Sequence, residues 1–71
     1  MFKVGDKVVL NMENLDELSK EILLKHIKEE DTYEVLDIIN GGTRLVIKNI
    51  RGEFIQPFSS FFKLKKEKNE I

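Results

Sequence analysis

Apolar and polar residues change their rhythm along this chain, and each change marks an element. Phe2-Lys3-Val4 alternates, Gly5-Asp6 predicts a turn or bulge, and Lys7-Val8-Val9-Leu10 predicts a strand. The polar run Asn11 to Asn14 ends it. From Leu15 the period lengthens to that of a helix. At about 100° per residue, Leu15, Leu18 and Ile22 form one stripe, which Leu23 and Ile27 widen. Asn14 is the predicted N-cap and Glu17 its capping-box partner, with Asp16 and Glu17 in the first turn, where the helix dipole favours negative charge. Glu21 and Lys25 form an i,i+4 pair. The helix is predicted over about residues 15–28. Leu24 falls nearly opposite Leu15, so it marks an early helix end or stands exposed. Lys28-Glu29-Glu30-Asp31 should leave the core.

From Thr32 to Asn40 the residues are β-branched and aromatic at strand spacing. Tyr33 and Val35 share one face, Leu36 and Ile38 the other. This phase shift predicts a bulge near Val35-Leu36, or a strand buried on both faces. Asn40-Gly41-Gly42 predicts a hairpin turn, because Asn and Gly tolerate positive φ. Thr43 to Ile50 is the returning strand, Arg51-Gly52 a second tight turn, and Glu53 to Gln56 the third strand of a meander. Pro57 ends that strand or sits at its edge, since it has no N–H to donate. Pro57-Phe58-Ser59-Ser60 predicts a short turn of 3₁₀ type, and Phe61-Phe62-Lys63-Leu64 a closing strand. The charged residues 66–71 read as a frayed tail. The predicted core comprises Phe2, Val4, Val8, Leu10, Leu18, Ile22, Tyr33, Val35, Ile38, Leu45, Ile47, Phe54, Phe62 and Leu64.

Composition narrows the picture. With 71 residues there is room for one domain, 1–71, and 41% hydrophobic against 35% charged residues is a globular balance. No cysteine is present, which excludes a disulfide framework and a thiolate metal site. No apolar run approaches the ~18 residues that span a bilayer, and the N-terminus lacks the apolar region of a secretion signal. The cytoplasm is therefore the expected compartment. Twelve basic residues face thirteen acidic ones, a formal net charge of -1 that argues against non-specific coating of DNA.

The predicted order is strand, inserted helix, three-strand meander, short turn, closing strand. In that order the chain resembles the SH3-like small barrels of phage and prophage proteins. Phe2-Lys3-Val4-Gly5-Asp6-Lys7-Val8-Val9 resembles their opening strand, Thr32-Tyr33-Glu34-Val35 the strand after the first loop, and Phe58-Ser59-Ser60-Phe61-Phe62-Lys63-Leu64 their closing segment. The resemblance implies a mainly β fold, an SH3-like barrel of about five strands with one helix inserted after the first. Closure of such a barrel would remove exposed strand edges. The helix, about four turns long by this reading, departs from barrels whose first loop is a plain connection.

Candidate chemistry is sparse. His26 is the only histidine and, without Cys or a second His, lacks partners for a zinc site. Ser19, two turns before it, has no nucleophile elbow or oxyanion hole to make it reactive. Gly41-Gly42 lacks the Lys-Ser/Thr end of a phosphate loop, and Glu29-Glu30-Asp31 with Glu34 lacks the spacing of a calcium loop. No catalytic, cofactor or metal site is therefore expected. Arg44, Lys48 and Arg51 lie on or beside one hairpin and, with Lys63, Lys65 and Lys66, define a basic stripe for nucleic acid. Phe58, beside Pro57 in a turn, and Leu24 are the apolar candidates for a partner contact. A groove for proline-rich peptides needs a Tyr and Trp platform, and this chain has no Trp and one Tyr. The expected function is a non-enzymatic binding module of phage or prophage type, acting on another protein as modulator or inhibitor in the bacterial host. The alternative is a nucleic-acid-binding barrel that uses the basic hairpin face. Neither reading involves a membrane.

Overall fold

The computed structural model describes residues 2–65; the predicted tail 66–71, with Lys66, lies outside them. Among the described residues the fold is mainly β, with six short strands in two three-stranded antiparallel sheets and one α-helix. Strand β1 (Lys7–Leu10) lies between β2 (Tyr33–Glu34) and β6 (Phe62–Leu64), with Val8 opposite Tyr33 on one side and Leu64 on the other. Strand β4 (Arg44–Lys48) lies between β3 (Asp37–Ile39) and β5 (Phe54–Ile55), with Ile38 opposite Leu45 and Ile47 opposite Ile55.

The phase shift at Val35-Leu36 is where the chain passes from one sheet to the other. Val35 exchanges backbone hydrogen bonds with the first sheet's side, donating to the Asp6 carbonyl at 2.9 Å and accepting from Gly5 at 2.8 Å. Its neighbour Leu36 donates to the Val46 carbonyl of β4 at 2.8 Å. The other junction is a single bridge between Arg44 and Phe58. Strand pairing does not close into a ring among the described residues.

Both predicted hairpin turns form. Asn40, Gly41 and Gly42 all have positive φ (52°, 65° and 95°), and Gly52 turns the second hairpin at 80°. A left-handed backbone at successive residues is costly for side chains with a Cβ, which explains Asn-Gly-Gly. The turn after Pro57 is the expected 3₁₀ piece, Ser59–Phe61.

The helix differs from expectation in length and in rotation. It spans Glu17–Leu23, and its N-cap is Asp16, whose Oδ1 accepts the Ser19 N–H at 2.8 Å. Asn14 belongs instead to a 3₁₀ turn, Met12–Asn14, and its side chain donates to the Ser60 carbonyl at 3.1 Å. Leu15 is extended and buried, so it reaches the core from outside the helix. Leu23 and, beyond the helix, Ile27 then set which side faces inward. That rotates the helix by about a quarter turn from the predicted stripe. Leu18 and Ile22, expected in the core, are 66% and 52% exposed. Leu24 satisfies both expectations for it, ending the helix as C-cap and standing exposed.

The core is Val8, Leu10, Leu15, Leu23, Ile27, Val35, Leu45, Ile47 and Phe62, with Phe2, Tyr33 and Ile38 packed against it. Three further expectations are corrected. Val4 is exposed in the turn before Gly5. Phe54, 66% exposed, pairs with outward-facing Lys48, because Ile55 opposite Ile47 takes the inner position. Leu64 lies at the exposed end of β6. Among the described residues no helix is long and apolar enough to cross a membrane.

Candidate functional site

An open groove of about 290 Å³ lies between α1 and the connection from β5 to β6. Ser19, Ile22 and Leu23 line it from the helix, Arg44 from the start of β4, and Pro57, Phe58 and Phe61 from the connection. Leu23 belongs to the core, whereas Ile22 and Phe58, at 52% and 44% exposure, are apolar walls open to solvent. Leu18 extends this apolar surface one helical turn from Ile22.

The aromatic wall is held by hydrogen bonds on both sides of Phe58. The Leu45 N–H donates to the Pro57 carbonyl at 3.0 Å, and the Ser59 N–H to the Thr43 carbonyl at 2.8 Å. The Ser59 hydroxyl donates to the Gly42 carbonyl at 2.8 Å. Phe58 packs edge-to-face on Phe61, centroids 5.5 Å apart. The Arg44 guanidinium lies over the Phe58 ring, 4.2 Å from its centroid, and donates to the Gln56 carbonyl at 2.6 Å.

Of the five sequence-predicted contact residues, the groove brings together Arg44 and Phe58. Leu24 lies in a separate shallow depression with Glu17, Lys20 and Glu21. Lys48 shares the outer face of β4 with Arg44, but four residues along a strand separate them by roughly 13 Å. It stacks on Phe54 at 5.4 Å. Arg51 is engaged at the β4–β5 turn. Its Nε and Nη2 each lie 3.3 Å from the Glu53 carboxylate, and Nη1 donates to the Lys25 carbonyl at 3.5 Å. Nη2 also lies 3.2 Å from His26 Nδ1. Lys63 and Lys65 belong to the other sheet's side, at and beyond β6.

Two positions, one lining the groove and one holding a turn, escaped sequence reasoning. Ile22 reads as core from its periodicity and is a wall of the groove. Asn49 is a buried polar residue whose Oδ1 accepts the N–H groups of Arg51 and Glu53, both at 2.9 Å. Its Nδ2 donates to Glu53 at 3.0 Å, which, with the Arg51 charge, holds the Glu53 carboxyl below its usual range. The signal was there: an Asn just before a turn commonly bonds the backbone two residues on. Beside this cluster, Ile50 donates to the carbonyl of His26, in the turn that follows the helix, at 2.9 Å. Among the described residues no three His, Cys, Asp or Glu side chains are grouped to hold a metal ion. In comparisons with known proteins, no family model, curated protein or solved structure matched the chain.

Proposed function

We propose that this chain is a small non-enzymatic binding module of SH3-like barrel topology that takes a segment of another protein in the groove between α1 and residues 57–61. The topology reading is supported by the element order and by the direct passage of the chain from one sheet to the other at Val35-Leu36. The observation that carries the binding reading is the pair of exposed apolar walls, Ile22 and Phe58, above core residue Leu23. A small domain has few apolar residues to spend, and contiguous exposed ones mark interaction sites. The resemblance to phage and prophage barrels makes a bacterial host protein the class of partner, with modulation or inhibition as the outcome. The basic-face alternative draws less support, because Arg44 and Lys48 each stack on a phenylalanine and Arg51 is held by Glu53. A salt-sensitive shift of an oligonucleotide would restore it.

Affinity capture from a bacterial lysate, comparing the wild-type chain with Ile22→Ser, Phe58→Ala and Leu24→Ser, tests the reading. A partner should be retained by the wild-type and Leu24→Ser chains and lost with the other two, all four remaining folded by circular dichroism. A partner that survives both groove substitutions, or no partner at all, overturns it.

A further inference from the structure

We infer that the groove selects an acidic apolar peptide segment, holding one apolar side chain between Ile22 and Phe58 and a neighbouring carboxylate on Arg44. This inference rests on the binding reading above. Among the described residues Arg44 is the one charged residue lining the groove. The ion pairs among the described residues are Lys7–Glu34, Lys20–Glu17 and Arg51–Glu53, so none of the described carboxylates pairs with Arg44. A guanidinium has five N–H donors. Among the described residues the Arg44 guanidinium makes one hydrogen bond, to the Gln56 carbonyl, besides lying over the Phe58 ring.

A partner that covers the apolar walls also strips water from this guanidinium. A carboxylate beside the apolar anchor would replace that water with charge-assisted hydrogen bonds, in surroundings where they are stronger than in bulk water. A neutral segment would leave buried donors unpaired, and a lysine would add repulsion. Selectivity therefore follows from the cost of the wrong partner as much as from the fit of the right one. The volume of about 290 Å³ suits a short anchor rather than a long buried segment. The hydrogen bonds on both sides of Phe58 hold the wall in place before binding, which lowers the ordering cost.

A random library of 12-residue peptides selected on the immobilised chain tests this, with affinities from fluorescence anisotropy and amide shifts from NMR. Enriched peptides should carry an apolar residue with Asp or Glu close by, and should move the amides of Ile22, Arg44, Phe58 and Phe61. Arg44→Gln should weaken them about fivefold, the scale of a partly exposed charge-assisted contact. Arg44→Glu should reverse the preference, favouring versions with Lys in place of the acid. Neutral or basic enriched peptides that are lost with Ile22→Ser but indifferent to Arg44→Gln overturn the inference and leave the groove reading standing. Peptides indifferent to Ile22→Ser, or no enrichment, overturn both. If an oligothymidylate moves the same amides and no acidic peptide does, the occupant is nucleic acid and the inference fails.

Discussion

Ile27 is fully buried and Leu18 is two-thirds exposed, although both belong to the same apolar pattern. Ile27→Ala should cost about 2–5 kcal/mol, read from the urea midpoint, whereas Leu18→Ala should stay within about 0.5 kcal/mol. Equal losses would place Leu18 in the core after all. Asn49→Ala leaves the N–H groups of Arg51 and Glu53 without their acceptor and should cost about 1–3 kcal/mol in the same measurement. Tyr33 has a titration of its own. Its partial burial raises the phenol above its usual value of 10.0, Asp31 and Glu30 push the same way, and the Lys28 N–H that its oxygen accepts opposes them. The folded state thus holds the phenol proton more tightly than the unfolded chain. The stability from this group is complete below pH 10 and is lost as pH climbs through the raised folded value. Tyrosinate absorbance should appear at higher pH in the folded chain than in the chain unfolded in urea, and Tyr33→Phe should flatten the alkaline arm of stability.

Elements were readable where the signal is local. The Asn-Gly-Gly turn and the break at Pro57 depend on neighbours, and both appear where the residues place them; strand alternation puts Val8, Leu10, Leu45 and Ile47 inside as expected but not Val4, Phe54 or Leu64. The helix was readable in existence and misread in facing, because its cap is Asp16, two residues beyond the predicted Asn14. Once Asp16 caps, Leu15 leaves the helix, and the inward side is decided by Leu23 and Ile27. Helical periodicity alone carries no information about that choice. The cap itself is testable. The backbone N–H of Ser19, then its hydroxyl, holds the Asp16 carboxyl below its usual value of 3.8. A depressed folded value means stabilisation that is present above that pH and lost as pH falls through the folded value. Helical circular dichroism should therefore decline on acidification, and Asp16→Asn, which keeps an acceptor without the charge, should lessen that decline. An unchanged acid profile would remove Asp16 as the cap.

At the scale of the molecule, the groove exists because three distant segments meet: α1, the first residue of β4 and the turn after Pro57. Arg44 and Phe58 were recognisable singly as a cation and a loop aromatic. Their stacking was not, since it depends on the bridge that brings the 3₁₀ turn across the start of β4. The helix and the turn after it are likewise tied at different places, Asp16 to the first turn of α1 and the carbonyl of His26 to the β4–β5 turn.

Surface loops ordinarily absorb extra residues at little cost. The loop at 40–43 is a different case, because the Ser59 hydroxyl and amide are measured against its carbonyls. Lengthening it by a single glycine after Gly42 should leave the melting temperature within a few degrees yet abolish capture of a groove partner. The same insertion among the exposed acids 29–30 should alter neither. Spacing between two strands would then be the dimension along which relatives of this chain could diversify what they hold without rebuilding what they are.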